Sequence, residues 1–211
     1  MNAELQRRVR AALERSHRLG MIGGDLDDQL AHCASFVRVL GEFVPLDEPR
    51  LAADLGTGGG VPGVYMAAAT PSWIWRLIEI RTGRADELER QVARLGLDTE
   101  VDVRPAQLVG QDPDHRARYD VVTAREFGPP PLVAECAAGL VRDGGIVVVS
   151  EPPDTAQGDR WPPAGLAAWG FGPVERRLEG SSHFAVLRKT GTTPNEVPRT
   201  PPRADRGWAH P

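Results

Sequence analysis

The sequence has few of the features that mark specialised protein classes. Its 211 residues include only two cysteines, Cys33 and Cys136, which lie far apart and form no CxxC pair. We therefore expect reduced, buried thiols, with no disulfide and no metal site. No apolar stretch approaches the roughly 20 residues of a membrane helix. The opening MNAELQRRVR carries charges where a signal peptide has an apolar run, so we expect a cytoplasmic protein with no membrane contact.

A positive net charge is also missing. Lysine and arginine number 25 against 29 aspartates and glutamates, which leaves a formal net charge of -4. Proteins whose main partner is a nucleic acid usually show the opposite bias. The charge therefore weakens the case for an RNA substrate without excluding it. The hydrophobic content of 41% and charged content of 26% are typical of a globular protein.

Hydrophobic periodicity divides the chain into three parts: a helical cap over 1–48, an α/β domain over 49–189 and a proline-rich tail over 190–211, expected to be extended and poorly ordered. Helices are predicted at 2–19, 25–43, 61–69, 84–95, 132–140 and 163–169. Strands are predicted at 51–55, 73–80, 100–104, 119–124, 146–150, 173–179 and 183–188, with a loop at about 106–118. This order predicts a doubly wound, mostly parallel seven-stranded sheet with a late antiparallel strand at its edge.

A glycine-rich turn follows the first predicted strand, in the segment DLGTGGGVPG that begins at Asp54. Glycines such as Gly56 and Gly58 let backbone N–H groups approach a ligand closely. The dinucleotide pattern G-x-G-x-x-G fails here, because Val61 occupies its third glycine position. The pattern present, D-x-G-x-G-x-G, suits S-adenosylmethionine, which has no pyrophosphate. A structural turn without a ligand is the alternative.

A carboxylate, Glu79, ends the second predicted strand. An acid at this place in a doubly wound sheet can accept both ribose hydroxyls of a nucleoside. An ionised carboxylate suits this task because it only accepts hydrogen bonds. A solvated loop acid is the alternative interpretation of Glu79.

These residues resemble a known family. The segment DLGTGGGVPG is similar to the signature of the RsmG (GidB) methyltransferases, which use S-adenosylmethionine to methylate N7 of a guanine in 16S ribosomal RNA. The similarity continues through 77–79, 119–125 and the Gly144-Gly145 turn, and it includes His32. It implies a Rossmann-like class I methyltransferase fold, an S-adenosylmethionine cofactor and 16S rRNA or the 30S subunit as partner. The cofactor contacts that it implies are Gly56, Val61, Glu79, Ala106, Gln107 and Arg125.

The chain departs from the family pattern at several positions. Gln107 replaces an acid, although its carbonyl can still accept from an adenine amino group. Gly83 stands in place of a lysine, and Ser35 in place of the acid that pairs with the helix histidine. Where the family has a basic residue after the fifth strand, this chain has Ser150 and Glu151. The cofactor half of the pattern is therefore matched more closely than the substrate half.

The methyl transfer that this resemblance implies needs few catalytic groups. Guanine N7 already carries a lone pair, so positioning of the reactants is the dominant effect and we expect no catalytic acid–base pair. Arg125 is either an active-site side chain or the partner of Glu126 in a surface ion pair. His32 either faces the ligand edge of the sheet or is a core histidine.

Three functions stay open at this point. The first is methylation of guanine N7 in 16S rRNA. The second keeps the cofactor and replaces the RNA by a small molecule, because the body of the chain is acidic. The third is a non-catalytic protein that retains a nucleoside pocket.

Overall fold

The computed structural model describes residues 1–153, 160–201 and 207–208. This part of the chain forms helices α1 (Ala3–Arg18), α2 (Leu26–Gly41), α3 (Gly63–Ala69), α4 (Thr82–Leu95), α5 (Ala106–Gln111), α6 (Pro130–Leu140) and α7 (Pro163–Ala168). Its strands are β1 (Arg50–Leu55), β2 (Trp73–Ile78), β3 (Thr99–Asp102), β4 (Tyr119–Ala124), β5 (Val141–Glu151), β6 (Glu175–Glu179) and β7 (Ser182–Arg188).

The strands form one sheet in the order β3-β2-β1-β4-β5-β7-β6. The first five in the chain are mutually parallel, which confirms the doubly wound, mostly parallel sheet. The chain direction across the sheet reverses between β1 and β4. Ligands of open α/β sheets bind at such a reversal, outside the carboxyl ends of the strands.

The expected position of the antiparallel strand is wrong. β7 is antiparallel to both of its neighbours, but it lies between β5 and β6 and not at the edge. Residues 184–187 are buried, whereas β6 is only partly buried and exposes Leu178. The more polar strand of this hairpin therefore takes the edge, where one face and one row of backbone groups meet water.

Both faces of the sheet are covered. Ala53 of β1 belongs to a core cluster that includes buried residues of α5, α6 and α7, and Ala52 belongs to a second cluster with residues of α1, α2 and α3. Successive strand residues point to opposite faces, so β1 contributes to both layers. The predicted helical cap forms part of the second layer.

Helix α5 lies where we expected a loop. Ala106 and Val109 are buried in the same cluster as α6 residues. The helix has only six residues and no side-chain cap, so packing stabilises it more than local propensity does.

The tail is better packed than expected. Val197 is buried, and the Arg116 guanidinium donates to the carbonyl oxygens of Val197 (2.6 Å) and Pro194 (2.9 Å). Arg199 pairs with the buried Glu135 at 2.6 Å. Prolines leave carbonyl groups without a regular partner, and the Arg116 donors satisfy them. Residues 194–199 therefore pack against the domain, whereas 202–206 and 209–211 lie outside the described residues.

The two cysteines are buried and free, as expected. Burial raises the pKa of the Cys33 thiol to about 12, so it is protonated at neutral pH. Within the described ranges, no group of three or more His, Cys, Asp and Glu side chains is placed to hold a metal ion. In that same part of the chain, no helix is both long and apolar enough to cross a bilayer.

Candidate active site

The turn after β1 depends on glycine at three positions. Gly56, Gly58 and Gly60 have φ angles of +66°, +60° and +113°, which residues other than glycine rarely adopt. The Gly56 N–H donates to the carbonyl oxygen of Ile78 at 2.8 Å. The turn therefore curls over the end of β2 and presents bare backbone there.

The later glycines Gly60 and Gly63 also allow close packing. A Cβ on Gly60 would lie 2.5 Å from Gln91 Oε1, and a Cβ on Gly63 would lie 2.6 Å from Asp54 Oδ2. Gln91 Nε2 also donates to the carbonyl oxygen of Gly59 at 3.1 Å. These contacts seat α1, α3 and α4 against the back of the turn.

Glu79 is held by the backbone on both oxygens. Its Oε2 accepts the Gly58 N–H at 3.0 Å and its Oε1 accepts the Arg81 N–H at 2.8 Å. The residue is only 4% exposed. Each carboxylate oxygen has two lone-pair directions, so both can accept a further donor. The arrangement suits an anion that grips a diol.

A cavity of about 470 Å³ lies beside this carboxylate, and we name it the Glu79 cavity. Its volume falls in the range of small-molecule sites. Four of the seven predicted cofactor contacts line it: Gly56, Glu79, Ala106 and Gln107.

The other three predicted contacts lie elsewhere. Gly58 is not among the residues that line the Glu79 cavity, but its N–H donates a hydrogen bond to Glu79, which does line it. Val61 is half-buried against the core cluster that contains α1 and α2. Arg125 lines a different cavity. The cofactor roles of all seven residues stay predictions.

The second cavity, which we name the Arg125 cavity, measures about 580 Å³ and is polar. It lies between α2, the ends of β4 and β5, and the β6–β7 turn. Four of its lining residues are Asp28, His32, Arg125 and Glu179.

His32 has two hydroxyl partners in this cavity. Its Nδ1 lies 2.8 Å from Ser182 Oγ and its Nε2 lies 2.9 Å from Ser150 Oγ, and its ring stacks on Phe184. Burial, and then the Arg125 guanidinium, lowers the pKa of His32 to about 4, so the ring is neutral at pH 7. His32 is thus half-buried and also faces the ligand edge. Ser182 gave no sequence signal, since it lies 150 positions from His32.

Arg125 forms the ion pair with Glu126 and also lines the Arg125 cavity; its role in an active site stays a prediction. Its side chain is 11% exposed and pairs with Glu126 Oε1 at 2.9 Å through Nη2. Its Nη1 is buried and has no hydrogen-bond partner among the described residues. A buried donor of this kind costs free energy unless a ligand satisfies it.

Glu126 has a strained backbone. Its φ is +52°, and its side chain is 80% exposed. Such a conformation costs about 1–3 kcal/mol, whereas an exposed ion pair contributes at most about 1 kcal/mol. The pair with Arg125 does not offset the strain, and strain of this kind is concentrated at functional sites.

Phe127 separates the Glu79 cavity from a third, smaller cavity of about 320 Å³. Its ring packs on Gly56, where a Cβ would lie 2.7 Å from Phe127 Cδ2. The segment that starts at Phe127 thus borders two cavities and leads into α6, which begins at Pro130.

Asp54 lies beneath the turn and is fully buried. Its Oδ1 accepts from Thr123 Oγ1 at 2.7 Å, and within the described residues its Oδ2 has no hydrogen-bond partner. Burial raises the pKa of Asp54 to about 7. The carboxyl group is therefore a poorly solvated acid close to the bare backbone of the turn.

Three of the five arginines of α1 are engaged with acids. Arg7 pairs with Glu4, Arg10 pairs with Glu14 at 3.1 Å, and Arg15 pairs with the buried Glu87 at 2.8 Å. This pairing favours a solvated helix face over a free electrostatic footprint for phosphates.

Comparisons with known proteins agree with this geometry. The model of the GidB family, rRNA small subunit methyltransferase G, matches residues 26–151, more than half of the chain. Ribosomal RNA small subunit methyltransferase G from Pelotomaculum thermopropionicum is 29% identical over 199 residues, which cover 90% of this chain and 82% of that protein. The protein of the same description from Prochlorococcus marinus MIT 9313 is 36% identical over 171 residues, covering 75% and 67%.

Solved structures share the fold. A hypothetical protein of Thermus thermophilus has a TM-score of 0.55 at 22% identity, covering 74% of this chain and 83% of that one. The fibrillarin pre-rRNA processing protein of Methanococcus jannaschii has a TM-score of 0.54 at 17% identity, covering 71% and 70%. These two structures support the architecture alone. The family match and the relatives show more: the chain belongs to the rRNA small subunit methyltransferase G family.

Proposed function

We propose that this chain is an S-adenosylmethionine-dependent methyltransferase that acts on N7 of a guanine in 16S ribosomal RNA. One observation carries the proposal: the Glu79 carboxylate, fixed by the Gly58 and Arg81 amides, faces a cavity of about 470 Å³ at the reversal point of the sheet. The names of the curated relatives supply the substrate class.

The residues around the Glu79 cavity fit the methyl donor. Glu79 would accept the ribose hydroxyls, and Ala106 and Gln107 would lie beside the adenine. The methionyl arm would lie along the backbone at Gly56, which lines the same cavity. When bound, S-adenosylmethionine supplies an electrophilic methyl group on a sulfonium ion.

The protein's own contribution to the reaction is positioning. Guanine N7 has a free lone pair, so no side chain needs to remove a proton from it. The neutral His32 ring, held between two hydroxyl groups, is compatible with this chemistry. A site that aligns the two reactants and excludes water supplies most of the rate enhancement.

A small-molecule acceptor is the second candidate, and the charge of the Arg125 cavity favours it. The cavity is lined by four acids, Asp28, Glu126, Glu151 and Glu179, and by two arginines, Arg38 and Arg125, so its net charge is negative and would repel phosphate groups. The ion pairs of the α1 arginines weaken phosphate binding further.

The deciding experiment offers the purified chain labelled S-adenosylmethionine with 30S subunits whose guanines are unmethylated at N7, and in parallel with free guanosine. We expect label in 16S rRNA and recovery of 7-methylguanosine after digestion. Binding of the donor with no transfer to 30S subunits would reject the RNA substrate. Failure of calorimetry to detect binding at about millimolar donor would reject both candidates.

A further inference from the structure

Glu126 lies where three cavities meet at the ligand edge of the sheet. It lines the Glu79 cavity, the Arg125 cavity and the smaller cavity beside Phe127. It is also one of two non-glycine residues with positive φ in the part of the chain that the structure describes. A strained residue at the junction of three cavities is placed to act on a bound molecule.

The carboxylate of Glu126 is held by an ion pair to a residue of the Arg125 cavity. Its carboxylate pairs with Arg125 Nη2 at 2.9 Å, and of these three cavities Arg125 lines only the Arg125 cavity. The Glu126 carboxylate also raises the pKa of His32 in that cavity, although burial and Arg125 outweigh it. The charge therefore acts on the side where the acceptor base would enter.

Methylation of a ring nitrogen moves a positive charge to that side. The nitrogen lone pair forms the new N–C bond, and the C–S bond of the donor breaks with its electron pair left on sulfur. No proton moves, so the positive charge passes from sulfur to the base. A fixed anion near the base, and farther from sulfur, stabilises this change.

We propose that Glu126 is the group that stabilises the positive charge gained by the acceptor base, and that it favours acceptors whose product is cationic. This inference rests on the proposed function. Arg125 orients the carboxylate through Nη2, and its buried Nη1, which has no hydrogen-bond partner among the described residues, would be satisfied by an acceptor of the incoming nucleotide.

The test compares Glu126→Gln with the control Glu42→Gln. Glu42 is also a partly exposed acid paired with an arginine at 2.9 Å, but it lies outside the three cavities. We expect Glu126→Gln to lower kcat on 30S subunits about tenfold. The affinities for S-adenosylmethionine and S-adenosylhomocysteine should stay within about twofold. The control should match the wild type.

Two outcomes would overturn the inference. A kcat of Glu126→Gln within about twofold of the wild type would show that the charge does not assist the transfer. A selective loss of affinity for the cationic donor over its neutral product would place the carboxylate on the donor side. A wild-type chain that transfers no methyl group to 30S subunits would instead reject the proposed function and this inference together.

A second variant separates chemistry from folding. Glu126→Gly removes the charge and relieves the positive-φ strain, so its thermal midpoint should be at or above that of the wild type while kcat falls as for Glu126→Gln. A Glu126→Gly enzyme with full kcat would also overturn the inference.

Discussion

The backbone N–H of Gly58 donates a 3.0 Å hydrogen bond to Glu79 Oε2, which joins the glycine turn to the acid at the end of β2. Arg81 holds the other oxygen by its own backbone N–H. Because both donors belong to the main chain, the carboxylate is positioned before any ligand arrives. Glu79 and the turn therefore act as one preorganised unit.

Glu79→Gln should weaken donor binding strongly. The variant keeps the size of the side chain but loses the anion, and its amide group faces a backbone N–H with another donor. We expect the Kd for S-adenosylmethionine to rise roughly 10- to 100-fold. Titration calorimetry measures it directly.

The matched control for this prediction is Asp86→Asn. Asp86 is exposed on α4 and lines none of the cavities described above. This substitution removes the same charge, so its Kd should equal that of the wild type. Equal affinity of Glu79→Gln and the wild type would show that another group holds the ribose.

The buried Asp54 should make stability depend on pH. Its pKa is about 7 in the folded state and close to the ordinary 3.8 when unfolded, so the folded state binds more protons between these values. Stability therefore falls as pH rises from about 4 to about 7, by as much as about 4 kcal/mol. Asp54→Asn should become more stable relative to the wild type across this range, as measured by urea unfolding at a series of pH values.

His32 contributes in the opposite direction. Its pKa is about 4 in the folded state and 6.5 when unfolded, so the unfolded state binds more protons and stability rises with pH over that range. The two residues partly cancel in the wild type. A difference curve between Asp54→Asn and the wild type that is flat from pH 4 to pH 7 would contradict the assignment to Asp54.

Two glycine-to-alanine substitutions should change the stability of the fold differently. A Cβ on Gly63 would lie 2.7 Å from Leu77 Cδ2 and even closer to Asp54, so Gly63→Ala should destabilise the fold by about 1–3 kcal/mol. Gly83 in α4 has open space around its Cβ position, and Gly83→Ala should be neutral or stabilising by up to about 1 kcal/mol. Thermal unfolding of both variants measures the contrast, and equal midpoints would refute it.

Arg116→Ala should release the tail. Removal of the guanidinium leaves the carbonyl oxygens of Pro194 and Val197 without their donor, at a cost of about 2 kcal/mol or more. Hydrogen exchange at the Val197 amide should accelerate, while the exposed Arg118→Ala should leave it unchanged. Unaltered exchange in Arg116→Ala would mean that other contacts, such as Arg199 with Glu135, suffice to hold the segment.

The fold was largely predictable because the hydrophobic periodicity of the sequence differs clearly between the strands and the helices. Alternation of short apolar strands with amphipathic helices marked all seven strands, although β5 begins at Val141, five residues before its predicted start. Helix α5 was not predicted, because six residues carry too little hydrophobic periodicity to distinguish a helix from a loop. The packing of the tail was not predicted, because its contacts are made with Arg116 and Glu135, which are distant from it in the chain.

The candidate site was predictable only in part. Gly56 and Glu79 follow successive strands, so the parallel order itself places them together. The contact of Phe127 with Gly56 and the hydroxyl partners of His32 depend on how separate elements pack. Val61 follows the glycine turn directly in the sequence, but it packs against the core and does not line the Glu79 cavity.

The amino-acid sequence alone determined the parallel sheet, the glycine turn and the acid beside it, because each depends on local conformational preference and on the order of elements along the chain. Tertiary structure decided which strand takes the edge, which carboxyl group is buried and where Glu126 meets three cavities. Those outcomes depend on solvent exclusion and close contact between segments far apart in the chain, and neither quantity is encoded in any local pattern.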